Sequence, residues 1–293
     1  MIRAFMKPMW TAWLDRCERT EDARPLAWLR IALPLCVVAD LLRAVQLGLV
    51  DVVFVPYSLG GLSRFQDPHL LIVEWFGASA GGIALVVTVI CMLFVSMGVW
   101  MKPAILLGVL AYAQLGHLYP PGDRTIDRIL RTALLFLLFS GADHHTTLRR
   151  AKQTLIAAWP ADLLRFFLVL VYLSAGVAKL LEQPGWLSMT AEPPLVRILT
   201  DPMSSRLDPV AWADNSAWFR WGGFFAIGIE LSSPLLLTRY AHLWAIGGLF
   251  MHLGITLTMS LGMFGWGMLA FYPWLLAPFI LSRVKNDGNP TTG

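Results

Sequence analysis

Charged side chains are scarce in this sequence. They make up 14% of its 293 residues, where soluble domains carry roughly a quarter. Hydrophobic residues fill 57%, and the mean hydropathy is +0.62. That balance excludes an ordinary soluble domain and predicts an all-α, polytopic integral membrane protein. Little length is left for a sizeable soluble domain, so any chemistry is expected within or at the membrane. Cysteine is equally sparse: Cys17, Cys36 and Cys91 are an odd number without metal-ligand spacing, and the latter two fall inside apolar runs. A disulfide framework and a zinc site are therefore not expected. His-x3-His, Glu-x2-His and Cys-x2-Cys patterns are also missing, and no metal is predicted. Met1–Arg24 is too charged for the apolar region of a signal peptide, so no secretory leader is expected. The net charge of +4 and pI near 9.1 fit loop lysines and arginines on the cytoplasmic side, and nucleic acid is not an expected partner.

Apolar runs occupy Leu26–Val50, Gly81–Trp100, Pro103–Leu118, Ile126–Gly141, Asp162–Leu181, Ala217–Leu237, Ala241–Leu261 and Met263–Ser282. They predict a bundle of about eight transmembrane helices. With the N-terminus inside, the inner segments hold Arg3, Lys7, Arg16, Arg19, Arg24, Lys102, Arg149, Arg150, Lys152, Arg239, Arg283 and Lys285. The outer ones hold Arg64, Arg124, Arg197 and Arg206. Twelve against four satisfies the positive-inside rule, so both termini are expected in the cytoplasm of a multi-pass protein of the cell membrane, the inner membrane of a bacterium.

The expected organisation has three parts. Residues 1–23 form an interfacial segment in which Phe5, Met6, Trp10 and Trp13 alternate with Arg3, Lys7 and Arg16, as in an amphipathic helix lying on the membrane; a simple frayed leader is the alternative. Residues 24–285 form the transmembrane domain. Residues 286–293 are a polar tail expected to be disordered. Two outer segments stand out: Asp51–Ala80, where His69–Phe76 suits a short interfacial helix, and Glu182–Ser216, whose five prolines predict irregular backbone lining or capping a cavity.

Ionisable residues inside spans carry the functional expectation. Lys179 lies near the outer end of Asp162–Leu181. A lysine denied water loses pKa and becomes a base; the alternative is a lysine whose head snorkels to the interface. His117, Asp127, Arg128 and Arg131 are expected at the same depth, and His252 lies near the middle of its span. Each has a plainer reading. Asp40 and Arg43 are three residues apart and Asp127 and Arg131 four apart, so pairing along one helix could neutralise them, and a lone histidine in an apolar helix is often a packing residue.

Four segments carry a resemblance. Arg24–Arg43 (RPLAWLRIALPLCVVADLLR), Ala175-Gly-Val-Ala-Lys179-Leu followed by Trp186, Gly228-Ile-Glu-Leu-Ser-Ser-Pro-Leu-Leu-Leu237, and His252–Phe264 with Met268-Leu-Ala270 run in the order found in the horizontally transferred transmembrane family. That family comprises the membrane part of vitamin K-dependent gamma-glutamyl carboxylases. The resemblance covers about Arg24 to Ser282. It implies that Lys179 deprotonates a reduced quinone of the vitamin K hydroquinone or menaquinol type, whose anion then reacts with molecular oxygen. His252 would orient a cofactor oxygen or stabilise charge. His117, Arg124, Asp127, Arg128, Arg131 and Trp186 would bind the cofactor, while Asp40, Arg43 and Glu230 would be structural polar residues.

Two departures bear on the substrate. Where the carboxylases place Asn and His, this chain has Gly122-Asp-Arg-Thr-Ile-Asp-Arg128, so the cofactor contact falls to Arg124, Asp127 or Arg128, or is missing. No counterpart of the large soluble domain is expected after the last span. A separate partner protein would replace it, and the substrate would be a peptide or protein, as in bacterial relatives that mature a secreted toxin. The alternative is a non-enzymatic membrane partner that binds lipid, quinone or peptide on an inherited scaffold.

Overall fold

The computed structural model describes residues 18–64, 71–142, 155–182, 184–187, 192, 194–201, 203–207 and 216–287. The interfacial segment expected over Met1–Cys17, the basic loop at 149–152 and the end of the tail lie outside them. Clustering of contacts divides the chain into two units, Met1–Ala161 and Asp162–Gly293.

Unit one holds helices α1 (Ala23–Gln46), α2 (Ala80–Met97), α3 (Met101–Leu118) and α4 (Thr125–Leu137). Asp22 caps α1: its carboxylate accepts the Arg24 backbone N–H at 2.9 Å and grips the Arg24 side chain, and Pro25 in the first turn needs no donor there. The α2 helix packs against α1 and α3, and α4 also packs against both, closing a four-helix arrangement. Its interior is mainly aliphatic, and among its few polar side chains Arg30 is fully buried and donates to the Val95 carbonyl at 3.0 Å. That carbonyl lies in the last turn of α2, where it also accepts the Gly98 N–H at 3.0 Å, and Arg30 takes its second lone pair. The α2–α3 turn is tight: Gly98 and Trp100 both take positive φ, a conformation that disfavours an aromatic residue. Trp100 is largely exposed and meets Phe94 edge-on at 6.5 Å between ring centres.

Unit two holds α5 (Trp159–Glu182, from Asp162 onward), α6 (Pro194–Thr200), α7 (Ser216–Leu231), α8 (Ala241–Thr258), α9 (Phe264–Leu269) and α10 (Tyr272–Asp287). The α8 helix packs against α7, α9 and α10, and α6 lies on α7. Val196, Leu199, Phe219 and Met259 form an apolar cluster where α6 meets the start of α7 and the end of α8.

All eight apolar runs contain helix, but among the described residues five helical stretches are long and apolar enough to cross a membrane: Ala23–Gln46, Ile72–Met97, Trp159–Leu181, Ala241–Thr258 and Phe264–Leu281. The other three differ for local reasons. In α3, Lys102, Gln114 and His117 dilute an 18-residue helix. The 13 residues of α4 span roughly 20 Å, short of a ~30 Å hydrocarbon layer. The α7 helix stops at Leu231, and Ser233–Leu237 continues as a tighter 3-10 turn, because Pro234 supplies no N–H and disfavours helix at the residue before it. The final run is also broken, turning at Ala270 between α9 and α10.

Two short backbone pairings tie chain ends together. Within unit one, strands β1 (Thr20–Asp22) and β2 (Leu155–Ala157) are antiparallel, with Thr20 opposite Ala157, and the Ala158 N–H donates to the Arg19 carbonyl at 2.8 Å. The start of α1 thus lies beside the segment that follows α4, so α1 to α4 return the chain to the end where it began. Within unit two, Ser205 bridges Met259, and Arg206 N–H donates to Thr258 O at 2.9 Å. Here α7 and α8 together make the return. Asp201 closes the turn before that bridge by accepting from Ser204 Oγ at 2.6 Å and the Met203 N–H at 3.1 Å. Those bonds hold its carboxyl below the ordinary carboxylate range.

Candidate functional site

The polar side chains of unit two gather on α5, α7, α8 and α10. Tyr172 and Lys179 are seven residues apart on α5, hence on one face about 10 Å apart along the axis. Lys179 Nζ forms a salt bridge with Glu230 Oε1 of α7. The same ammonium sits 5.5 Å from the centre of the Trp186 ring, a cation–π distance. Gly176 explains how α7 comes this close. A Cβ there would lie 2.9 Å from Leu231 Cδ2 and 3.0 Å from the Glu230 Cβ, so a larger side chain would push Glu230 away from Lys179.

One α5 step deeper, Tyr172 Oη lies 2.8 Å from His252 Nε2 of α8 and 3.1 Å from Tyr272 Oη of α10. All three side chains are buried. The Tyr172 ring is held edge-on against Trp244 at 4.8 Å, and Trp244 Nε1 donates to the Ile229 carbonyl at 2.8 Å, beside Glu230. Lys179 lies within electrostatic reach of His252, and Glu230 within reach of Tyr172. Two atoms of this group stand out: Glu230 Oε2 and His252 Nδ1 are buried and have no hydrogen-bond partner. An orphaned buried polar atom costs about 1–3 kcal/mol, so two in one cluster mark places where a ligand's polar atoms would be welcome.

Gly248 makes the tyrosine contact possible, since a Cβ at that position would meet Tyr272 Oη at 2.4 Å. Gly248→Ala is expected to displace the Tyr272 hydroxyl, break its bond to Tyr172 and destabilise the protein by about 1–3 kcal/mol as an overpacked site. Thermal unfolding in detergent measures it, and an unchanged midpoint would contradict the packing.

Unit one has its own charged cluster, at a cleft where α1, α3 and α4 meet. Arg124, the N-cap residue of α4, forms salt bridges with Asp40 of α1 and with Asp127. Asp127 also accepts from Tyr112 Oη of α3 at 2.6 Å and from the Arg124 backbone N–H at 2.9 Å. Asp123 pairs with Arg131 at 2.7 Å and with Arg128 at 2.9 Å. The neutralisation expected along single helices is replaced by pairing through the turn before α4: Asp40 meets Arg124 rather than Arg43, and Arg131 meets Asp123 rather than Asp127. The cause is the Pro120–Gly122 turn, which folds Asp123 and Arg124 back over the helix ends.

The expected site residues therefore fall into two groups. Lys179, His252 and Trp186 come together in unit two, joined by Glu230, which the sequence suggested as a structural residue but which is the direct partner of Lys179. Arg124, Asp127 and Arg131 come together in unit one with Asp40. Arg128 is exposed at the rim of that cluster, and His117 and Arg43 are exposed on α3 and α1. Sequence reasoning did not single out Tyr172, Tyr272 or Tyr112, because a tyrosine in an apolar run reads as packing until a hydrogen-bond partner is seen. Among the described residues, no group of three or more metal-ligating side chains occurs. Comparison with known proteins finds no matching family model, curated protein or solved structure.

Proposed function

We propose that this chain is a multi-pass membrane protein that takes a proton from a reduced quinone at the Lys179–Glu230 pair, in oxygen-dependent chemistry like that of the vitamin K-dependent carboxylases. The observation that carries the reading is the pair itself with the two orphaned atoms, its own Glu230 Oε2 and the nearby His252 Nδ1. The two side chains are part-buried and in direct contact, so one proton can sit on either. As ammonium and carboxylate the pair offers Glu230 Oε2 as proton acceptor; as amine and carboxylic acid it offers Lys179. The second form is the working one, in which the Lys179 amine takes the quinol proton, and His252 Nδ1 supplies a hydrogen bond to a second ligand oxygen. Trp186 gives the aromatic ligand a ring to pack on. The quinol, when bound, would supply the electrons for oxygen, and the strong base so formed would take a proton from a peptide or protein.

The closed ion pair also suits a non-enzymatic partner in which Lys179 and Glu230 only pin α5 to α7. Quinone binding tests whether the cluster holds a quinone at all, and quinol-dependent oxygen uptake separates the enzyme from a scaffold that only binds one. A menaquinone analogue titrated into purified protein in nanodiscs is expected to quench tryptophan emission saturably, and less so after Trp186→Leu. No saturable quenching in the wild type would overturn the quinone reading.

The proposed arrangement has eight crossings with both termini cytoplasmic. Its supports are the twelve-to-four charge bias and the two pairings, which demand an even number of crossings between β1 and β2 and between Ser205 and Met259. Trp75 and Trp100, both highly exposed, flank α2, whose 18 residues cover about 27 Å, and suit the two interfaces. Reporter fusions after Ala157 and Gly293 are expected to read cytoplasmic, and one at Arg206 external. An odd number of crossings between Ala157 and Gly293 would contradict this.

A further inference from the structure

We infer that Tyr172 and Tyr272 form with His252 a row that carries a proton away from the Lys179–Glu230 site, an inference that rests on reading that site as the place where a ligand is deprotonated. The geometry has three parts. Tyr172 Oη stands between His252 Nε2 at 2.8 Å and Tyr272 Oη at 3.1 Å. His252 is buried and its Nδ1 has no partner. Gly248 leaves room for the Tyr272 hydroxyl at the far end of the row.

A hydroxyl has one proton, so Tyr172 donates to one neighbour and accepts from the other. The row has two polarities. In one, His252 Nε2–H donates to Tyr172 and Tyr172 donates to Tyr272, leaving Nδ1 bare as an acceptor. In the other, Tyr272 donates to Tyr172 and Tyr172 donates to Nε2, leaving the proton on Nδ1. A proton arriving at bare Nδ1 from the pair or its ligand is balanced in one pass. The Nε2 proton moves to the Tyr172 oxygen, the Tyr172 proton to the Tyr272 oxygen, and the Tyr272 proton to a water molecule. One proton enters, one leaves, and His252 ends neutral as the other tautomer. An imidazolium in the apolar interior, which would be costly, is never left standing. Rotation of the two hydroxyls and loss of the Nδ1 proton reset the row.

The test needs no quinol. Protein labelled with [15N]histidine is placed in lipid nanodiscs and transferred to D2O, and exchange of the His252 ring proton is followed by NMR, with His252→Asn identifying the signal. Tyr272→Phe decides, because Tyr272 bonds Tyr172 and not His252. Exchange at His252 is expected to slow by about a hundredfold in Tyr272→Phe, the lower end for losing a proton-transfer partner, and similarly in Tyr172→Phe. Exchange in Tyr272→Phe equal to wild type would overturn the row, and would do so even if Tyr172→Phe failed to fold. Slowed exchange in a protein that binds no menaquinone analogue would leave the row standing and remove the quinol reading; quinone binding with unslowed exchange would do the reverse.

Discussion

Glu230→Leu is expected to lower stability by about 2 kcal/mol, because it leaves the part-buried Lys179 ammonium without its carboxylate. Lys179→Met is expected to cost a similar amount by stranding Glu230. The double change Lys179→Met with Glu230→Leu should recover most of the loss, since well-packed apolar replacements of a buried ion pair are often neutral or stabilising. Chemical denaturation of the four proteins in mixed micelles measures the cycle. A double variant as unstable as the sum of the singles would show that Lys179 and Glu230 act independently and that their salt bridge is not a working unit.

The second large effect is expected in unit one. Arg124 pairs with both Asp40 and Asp127, its own side chain 36% exposed and theirs 20% and 5% exposed. Arg124→Ala strands two carboxylates at the junction of α1 and α4, and a loss of about 2 kcal/mol follows, less than for breaking fully buried pairs because water reaches the guanidinium. Arg128→Ala is the control: its side chain is 67% exposed, and its bond to Asp123 should be worth no more than about 1 kcal/mol. Equal thermal shifts for the two variants would remove Arg124 from its place as the keystone of the cluster.

The positions of the helices were legible because apolar runs in a membrane chain have few other ways to satisfy their backbone. Helix ends were not, and the reasons are local. Pro234 converts the end of one run into a 3-10 turn, and the turn at Ala270 splits another. Lys179 and His252 were visible as ionisable residues in apolar runs. Glu230 was visible too, but its partnership with Lys179 depends on Gly176 letting two helices approach, a tertiary fact. Charge pairs in unit one were misread from spacing because the Pro120–Gly122 turn brings Arg124 to Asp40, 84 residues away. Spacing rules describe neighbours on one helix and are silent about a turn that folds back. The tyrosine row was illegible for a simpler reason: its members lie 80 and 100 residues apart from Tyr172.

Oxygen consumption tests the central claim most directly. Purified wild type and Lys179→Arg are compared in liposomes supplied with a naphthoquinol. Arginine keeps a positive charge opposite Glu230 and so preserves the pair, but a guanidinium does not give up its proton at working pH and cannot serve as the amine base. Naphthoquinol-dependent oxygen uptake is expected in the wild type and is expected to fall by about a hundredfold or more in Lys179→Arg, the scale of losing a general base. Equal uptake by the two proteins, or no quinol-dependent uptake by the wild type, would contradict the assignment of Lys179 as the proton-accepting centre of a quinol-oxidising site.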